Sequence, residues 1–480
     1  MENEEKRNNM WVFLIVGVLG LISLIYYKVN VYYIYVVLYI WFGFTYGMML
    51  QYGRFCMASA SRDLFAAGVP RMAVGIMIGL VFFSLVSVIL STYHMTTFHP
   101  GPIGSHEVIG GIIFGVGMVL AGGCASGSLY KIGEGNGTAI LSILGISFGQ
   151  AIFLDIGGIF NKLLPQSIIQ KAEAATWVPK ENLTSWFDHI LVGSILKKPQ
   201  ITIANTDAIS SISSGFTKYL LGNSIINTII PAFLVLVLIY YFYSRKGFIK
   251  KRKKQLKKQG LSEKTGLMDE IAGLWSMITA SQRTSIMGVL IGITAGIHIL
   301  AMSGMQHKFG VTNFGTLLIR MGHKADVSIR GTVFDPGYWY ITTQESQFAA
   351  WVLEKFGWNM HDNIFFGIMN GIPELWRNPA LWMSIGIIFG AMVMARLNGE
   401  FKLKLPKGEL IVWGLGGGLL MGVGARVALG CNIGAFFIRV AGGDPGGWLF
   451  GIGMVIGGYI GVRFFNWWTD RKMAKEMEAF

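Results

Sequence analysis

Ten long apolar stretches constrain the fold of this 480-residue chain more than any other feature. Each is about 17 to 25 residues long, the length that an α-helix needs to cross a bilayer. They lie at 11–27, 32–51, 71–93, 107–123, 137–158, 222–244, 283–303, 378–396, 409–426 and 446–467. Four shorter apolar pieces, too brief to cross and interpreted as re-entrant half-helices, lie at 56–66, 126–132, 311–320 and 431–440. The predicted fold class is an all-α polytopic membrane protein with about 10 transmembrane helices.

Composition and charge support a membrane protein and argue against a nucleic-acid partner. Charged residues make up 14% of the chain, whereas soluble domains carry about 25%. The net charge is +14, but nine lysines and arginines are concentrated in Arg245–Lys258, directly after an apolar stretch. A cationic run in that position is typical of a cytoplasmic segment beside the membrane. We therefore expect a lipid bilayer around this chain and no nucleic acid.

The distribution of lysine and arginine predicts the orientation of the spans. With the N-terminus inside, the cationic clusters after the second, sixth and eighth spans and in the C-terminal tail fall on the cytoplasmic side. We expect a multi-pass protein of the bacterial plasma (inner) membrane with both termini in the cytoplasm. Polar insertions at about 161–220 and 321–377 then lie outside and are interpreted as linkers. The aromatic cluster Tyr338-Trp339-Tyr340 in the second insertion predicts contact with the membrane interface.

An internal repeat appears when the chain is aligned with itself at an offset of 307 residues. The pattern G-x-x-x-G-V-G-x-x-x-A-x-G-C-x-x-G occurs at 111–127 and again at 418–434. The two copies run in opposite directions across the membrane, so the halves are predicted to be inverted repeats, which place substrate sites at interrupted helices. The predicted units are an extra N-terminal span at 1–30, a first half at 31–160, an insertion, extra span and basic linker at 161–282, a second half at 283–470 and a tail at 471–480.

All three cysteines of the chain lie in glycine-rich breaks between apolar stretches. Cys124 and Cys431 occupy equivalent positions of the repeat, whereas Cys56 faces Asn313 in a weaker upstream alignment. A cysteine in a membrane bundle is usually only a small apolar residue, and glycines spaced by four usually form a packing face. Glycines that flank a cysteine would instead break the helix. This favours a role for the cysteine-bearing breaks in lining a substrate pathway. Arg426 is a further candidate, because a charge within a span is costly.

Thiols in this setting suit the passage of a sulfur-containing anion. A neutral thiol is a weak donor, and half-helix N-termini add partial positive charge. The odd number and wide spacing of the cysteines favour neither a disulfide framework nor a metal site. No GxxxxGK[ST] motif occurs, so we expect no direct coupling to ATP. We also expect no cofactor, no metal and no enzymatic activity. The residues predicted to line the pathway are Cys56, Cys124, Cys431, Gly123, Gly127, Gly430, Gly434, Asn313 and Arg426.

The cysteine motifs resemble those of the YeeE/YedE family of bacterial membrane proteins. The matching pieces are Gly53-Arg54-Phe55-Cys56 with Ser61-Arg62-Asp63, Gly122-Gly123-Cys124-Ala125-Ser126-Gly127, and Gly430-Cys431-Asn432-Ile433-Gly434. The resemblance implies thiosulfate uptake through an inverted-repeat pore in which the three cysteines contact the passing ion. It also implies a cytoplasmic rhodanese-like or TusA-like sulfur carrier as a partner. Some relatives are linked to selenium metabolism.

The predicted function is therefore import of thiosulfate or a related sulfur-containing anion through a pore lined by three cysteines. Three alternatives stay open. The first is a selenium-compound transporter of the same fold. The second is a membrane sulfurtransferase or redox protein that carries a covalent persulfide on cysteine. The third is a scaffold whose glycines only pack helices.

Overall fold

The computed structural model describes residues 2–93, 95, 104–155, 224–259, 264–311, 314–323, 339, 341–360, 366 and 371–478. Within these ranges the chain forms helices and no β-strand. In order, the helices are α1 (Glu2–Val29), α2 (Ile34–Gly53), α3 (Met57–Ala67), α4 (Arg71–Thr92), α5 (Ser105–Leu120), α6 (Ala125–Gly133), α7 (Gly137–Asp155), α8 (Ile225–Lys258), α9 (Leu267–Ile278), α10 (Gln282–Phe309), α11 (Phe314–Arg320), α12 (Thr342–Lys355), α13 (Pro379–Leu397), α14 (Glu409–Val427), α15 (Asn432–Ala441) and α16 (Gly446–Glu478).

The prediction of a polytopic helical membrane protein is confirmed. Nine helical stretches of the described chain are long and apolar enough to cross a membrane, with α2 and α3 counted together, as are α5 and α6. The span predicted at 137–158 begins as expected at Gly137, but its apolar part, Gly137–Phe153, is shorter than the other nine. Residues 156–158 lie outside the described residues. The four short apolar pieces correspond to the short helices α3, α6, α11 and α15.

The two halves of the repeat interlock through helices that contact each other at glycines. Helix α2 of the first half packs along α13 of the second, and its counterpart α10 packs along α4 of the first. A Cβ atom on Gly43 would lie 2.2 Å from the carbonyl oxygen of Met383, and one on Gly288 would lie 2.5 Å from that of Gly75. Small residues thus let the backbones approach closely, as is common between helices in lipid.

Repeat-equivalent helices run antiparallel, as inverted repeats require. In the α5–α14 pair, Gly110 faces Ala428 whereas Gly117 faces Gly417, so the residue order reverses across the contact. The α2–α10 pair behaves in the same way. Its contacts run from Tyr35 against Phe309 at one end to Gly53 against Met287 at the other. The inverted relation predicted from charge is therefore present in the packing.

Two long helices lie outside the repeat and brace it. Helix α1 packs against α13. Helix α8 holds the turn between α15 and α16, because the Asn227 amide donates to the Gly443 carbonyl at 2.8 Å. The Trp448 indole in turn donates to the Asn227 carbonyl at 2.6 Å. The basic end of α8, Arg245–Lys258, contains no buried residue, as expected for a solvated cationic segment.

The insertion at 321–377 is more than a linker. Its helix α12 packs against α7 and α13, with Ala349 and Ala350 fully buried. The prediction that Trp339 contacts the membrane interface is wrong, since this side chain is 2% exposed and stacks on Tyr46 with ring centroids 4.0 Å apart. Trp339 lies in the protein core, where the indole buries more of its surface than it would at an interface. The other insertion, 161–220, lies outside the described residues.

Candidate functional site

The helix breaks at Cys124 and Cys431 share one backbone geometry. Two residues before each cysteine the backbone is left-handed, with φ of 72° at Gly122 and 58° at Leu429. After each cysteine the chain resumes a helix, and the carbonyl of the cysteine accepts the N–H of the fourth residue on at 2.7 Å. The 307-residue repeat therefore extends to the conformation of the breaks themselves.

Each cysteine is the N-cap residue of a short helix. Cys56 precedes α3, Cys124 precedes α6, and Cys431 precedes α15, all with extended backbone conformations. The first turn of a helix has N–H groups without intrahelical partners and carries about half a unit of positive charge. Three such ends, each with a thiol at its tip, form a setting that favours an anion without using a fixed cation.

Cys56 and Cys124 form a buried pair of thiols. Their sulfur atoms lie 3.7 Å apart, far beyond the length of about 2.05 Å for a disulfide bond, and both residues are free cysteines. The Cys124 sulfur also accepts the Gly127 N–H at 3.4 Å and lies 3.5 Å from the Ser126 hydroxyl. Sulfur, hydroxyl and backbone N–H groups from two elements are thus brought together in the core.

Cys431 lies in the equivalent break of the second half of the chain. It is 1% exposed and lies beside Thr342 at the start of α12. The adjacent Asn432 amide donates to the Ser126 hydroxyl at 3.4 Å, which links the two repeat-equivalent motifs directly. The motifs that contain Cys124 and Cys431 are therefore in direct contact.

A small void lies among these motifs. It measures about 10 Å³, which is close to the smallest space that holds one water molecule. Its lining includes Phe55 beside Cys56, Ser126, Asn432 and the indole of Trp339. Sequence reasoning missed Trp339 and Thr342, because no local pattern distinguishes a segment that enters the core from one that stays outside. The void is too small for an oxyanion.

The glycines of the two motifs differ in their surroundings. A Cβ atom on Gly127 would lie 2.5 Å from the Cys56 sulfur and 3.1 Å from the Cys124 sulfur, whereas one on Gly434 would meet nothing within 4 Å. Gly127 is therefore the residue that allows the thiols to approach. Asn313, the predicted counterpart of Cys56, lies outside the described residues.

Gly123 and Gly430, the glycines directly before Cys124 and Cys431, have similar surroundings, and each lies close to other atoms. A Cβ atom would lie 3.1 Å from the Ser128 hydroxyl oxygen in the first case and 2.8 Å from the Ala435 nitrogen in the second. Ser128 and Ala435 are themselves 307 positions apart, so the same contact occurs in both halves. These two glycines permit tight turns into the half-helices, which agrees with their predicted position in the breaks.

A cluster of charged side chains lies at the end of the protein beyond Cys56. Arg54 pairs with Glu400 at 3.2 Å, and Arg283 approaches the same carboxylate at 3.6 Å. Gln51 donates to Glu400 at 2.7 Å and to Glu134 at 3.3 Å. Burial raises the pKa of Glu134 above its ordinary value, although the bond from Gln51 opposes the shift. The Arg54 side chain is 66% exposed, so this cluster faces water on one side.

The predicted cation Arg426 and two further cations near the cysteine motifs, Lys131 and Arg439, occupy different environments. Arg426 is buried in the last turn of α14, five residues before Cys431. Lys131 donates its ammonium to the Gly122 carbonyl and so caps the break before Cys124. Arg439 pairs with two buried carboxylates, those of Glu107 and Asp444. Of these three cations, Lys131 directly supports a cysteine-bearing break.

Interlocked, oppositely directed halves with half-helices capped by thiols place this polytopic protein in the inverted-repeat class, whose architecture is common among transporters. The chain belongs to the sulphur transport family, whose sequence model matches residues 52–460. The resemblance to the YeeE/YedE family is thereby confirmed.

Curated relatives cover most of the chain. It is 27% identical over 422 residues to the thiosulfate transporter TsuA of Spirochaeta thermophila, a match that spans 87% of this chain and 95% of the relative. It is 22% identical over 427 residues to the TsuA thiosulfate transporter of Escherichia coli, which covers 86% and 90%. A shorter match, 31% identical over 130 residues, covers 26% of the chain and 32% of the probable transporter YedE of Escherichia coli.

Proposed function

We propose that this protein imports thiosulfate, or a closely related sulfur-containing anion, along a path that passes Cys56, Cys124 and Cys431. The observation that carries the proposal is a set of three free, buried cysteines, each at the N-terminus of a short helix. The thiosulfate transporters among its relatives support the substrate class, because they match nearly their whole length.

The chemistry of the site supports transport rather than tight binding. Neutral thiols donate weak hydrogen bonds, and helix N-termini attract an anion without a fixed ion that would hold it. A permeating ion must bind well enough to enter and weakly enough to leave. The 3.7 Å contact between Cys56 and Cys124 would then be replaced by contacts from both thiols to the sulfur of the substrate.

Passage requires motion at both ends of this path, because the void among the motifs is too small for an oxyanion. On the outer side, the Trp339 indole lines the void and stacks on Tyr46. On the cytoplasmic side, Arg54 lies two residues before Cys56 and pairs with Glu400. The exposed Arg54 would receive the anion as it leaves the thiols.

Orientation and driving force belong to the same proposal. Both termini lie in the cytoplasm of a bacterial inner-membrane protein, with the basic end of α8 on that side. Membrane potential opposes the entry of an anion, so uptake requires either a co-ion or consumption inside. A rhodanese-like or TusA-like sulfur carrier would perform that role at the cytoplasmic face.

Uptake of radiolabelled thiosulfate into proteoliposomes tests the proposal. We expect saturable uptake by the purified protein, strong competition by unlabelled thiosulfate and weak competition by sulfate, which lacks the soft terminal sulfur. Competition by selenite that exceeds competition by thiosulfate would instead favour the selenium-compound transporter. Vesicles that take up neither anion above protein-free controls would contradict the proposed function.

A further inference from the structure

A large apolar cleft lies between α8 and α16, apart from the small void among the cysteine motifs. It measures about 400 Å³, which is within the range of sites that hold a ligand. Helices α3, α4 and α15 complete its lining, and every lining residue belongs to the described part of the chain. Apart from Ser61, Tyr243 and Trp448, the lining side chains carry no oxygen or nitrogen atom. The cleft is therefore a hydrocarbon surface.

The cleft opens toward the bilayer. Helix α8 packs on α4 and α16 packs on α3, so that α3 and α4 form the floor between two walls. The walls are joined at one end, where the Trp448 indole donates to the Asn227 carbonyl at 2.6 Å. Leu238, Phe242 and Ile452 line the cleft and are nevertheless 46%, 68% and 52% exposed. These residues belong to helices long and apolar enough to cross a membrane, so lipid reaches the cleft between them.

The length of the cleft matches one leaflet of a bilayer. Its lining runs from Val235 to Tyr243 along α8 and from Trp448 to Ile456 along α16. Eight residues of helix rise about 12 Å, and half of a hydrocarbon core of about 30 Å is about 15 Å. A space that no side chain fills loses packing contacts, and water does not fill an apolar one. An acyl chain lying along the spans fits both the length and the chemistry.

Cations lie at the end of the cleft nearest the basic segment of α8. Arg71 is exposed and lies two residues before Ala73, a lining residue in the first turn of α4. Lys246 is exposed and follows the lining residue Phe242 by about one turn. The two helix ends are neighbours, because a Cβ atom on Gly68, in the turn before α4, would lie 4.0 Å from the Tyr243 ring. Both cations thus border the same opening.

The charge at this end is positive. Nine lysines and arginines occupy Arg245–Lys258 without any acid. The carboxylates of Glu270 and Asp269 pair with two of them, at 2.7 and 2.8 Å. Another nearby acid, Asp63, has its own partner in Arg62 at 3.4 Å. An apolar cleft one leaflet long with cations at its mouth complements an anionic phospholipid, whose head group such clusters attract.

The floor of the cleft connects it to the cysteine motifs. Met57, which directly follows Cys56, lines both the cleft and the small void. In α15, Phe436 lines the cleft and the adjacent Phe437 lines the void. One layer of side chains therefore separates the two spaces. A chain seated in the cleft packs against the two half-helices that begin at Cys56 and Cys431.

We propose that this cleft binds an acyl chain of an anionic phospholipid from the leaflet that borders the basic segment, with the head group at Arg71 and Lys246. The bound chain holds α3 and α15 in position beside the substrate path. Its consequence for uptake rests on the proposed transport function, whereas the binding of lipid does not.

Lipid binding by the purified protein is measured by native mass spectrometry with phosphatidylglycerol and phosphatidylcholine of identical chains. We expect phosphatidylglycerol to bind more tightly, by about fivefold for each cation that it meets. The double variant Arg71→Gln/Lys246→Gln should lose this preference. Lys257→Gln/Lys258→Gln is the matched control, because it removes two charges from the far end of the basic segment. Equal losses in the two double variants would mean unspecific attraction and would overturn the proposal.

Filling the cleft tests the seat of the acyl chain. Ile452→Trp places an indole in the cleft and is expected to weaken phosphatidylglycerol binding severalfold. Ile460→Trp is the control, since Ile460 is 46% exposed on the same helix but does not line the cleft. Leu238→Trp fills the cleft from the opposite wall and keeps the test decisive if Ile452→Trp does not fold. Unchanged binding in the folded cleft variants would overturn the proposal, as would a dimer that these variants dissociate.

Uptake into proteoliposomes tests the consequence. We expect the wild type to take up thiosulfate severalfold faster when phosphatidylcholine vesicles also contain phosphatidylglycerol, and Ile460→Trp to behave in the same way. Ile452→Trp should lose this dependence on phosphatidylglycerol. A wild-type rate that is equal in both kinds of vesicle would contradict the role of the lipid in positioning α3 and α15. If phosphatidylglycerol binds at the cleft but no preparation transports thiosulfate, the lipid site is supported and only the transport function falls.

Discussion

Cys124→Ala is expected to slow thiosulfate uptake by about 10- to 100-fold, since a hydrogen bond to a charged group contributes about 1.5–3 kcal/mol. The Cys124 sulfur contacts the Cys56 sulfur, the Ser126 hydroxyl and the Gly127 N–H. Alanine removes the donor for the passing ion and leaves the Gly127 N–H without its acceptor. The initial rate of radiolabelled thiosulfate uptake in proteoliposomes measures the effect.

Cys124→Ser is the matched control for this prediction. A serine hydroxyl keeps a donor and an acceptor at the same position but replaces soft sulfur with a harder and smaller oxygen. We expect an uptake rate between those of the alanine variant and the wild type. Equal amounts of folded protein are verified by size-exclusion chromatography. A wild-type rate for Cys124→Ala would mean that the thiols only pack the core and would favour the scaffold alternative.

Gly127→Ala is expected to reduce uptake by about tenfold or more, because inserting a methyl group into a packed core costs about 1–3 kcal/mol. The new Cβ atom would lie 2.5 Å from the Cys56 sulfur and 3.1 Å from the Cys124 sulfur. At least one thiol must therefore move, and the 3.7 Å contact between them is lost. Uptake rate and thermal unfolding temperature are measured on the same preparation.

Gly434→Ala provides the comparison at the equivalent position of the other half. A Cβ atom there meets no atom within 4 Å, so the backbone and its neighbours need not adjust. The rate and the unfolding temperature should stay close to those of the wild type. Equal losses in the two variants would show that the sensitivity comes from the glycine backbone rather than from the thiol pair.

The fold was predictable from the sequence where its signals are local or repeated. Apolar stretches of sufficient length specify crossing helices because lipid provides no partners for backbone groups. The 307-residue repeat links Cys124 with Cys431, and the left-handed residues Gly122 and Leu429 follow the same offset. Glycines beside the cysteines indicated the breaks correctly, because glycine readily adopts the left-handed conformation that ends a helix, as Gly122 does.

The contacts that a distant segment makes were not predictable in the same way. Trp339 and Thr342 belong to a polar insertion whose composition is that of a linker, yet both are buried beside the cysteine motifs. The contacts of Arg439 could likewise not be predicted from local sequence. Asp444 is five residues away, whereas Glu107 is 332 residues away in the sequence and carries no local mark of the pairing.

Protection of the thiols by substrate tests the central claim most directly. Proteoliposomes are treated with a small membrane-permeant maleimide in the presence of thiosulfate or of sulfate, and labelling at each cysteine is measured by mass spectrometry. The account predicts that thiosulfate slows labelling of Cys56, Cys124 and Cys431 whereas sulfate does not, and that no cysteine retains added sulfur after the substrate is removed. A persistent persulfide would favour the sulfurtransferase alternative. Equal labelling with thiosulfate and with sulfate at all three cysteines would contradict a pathway that passes the thiols.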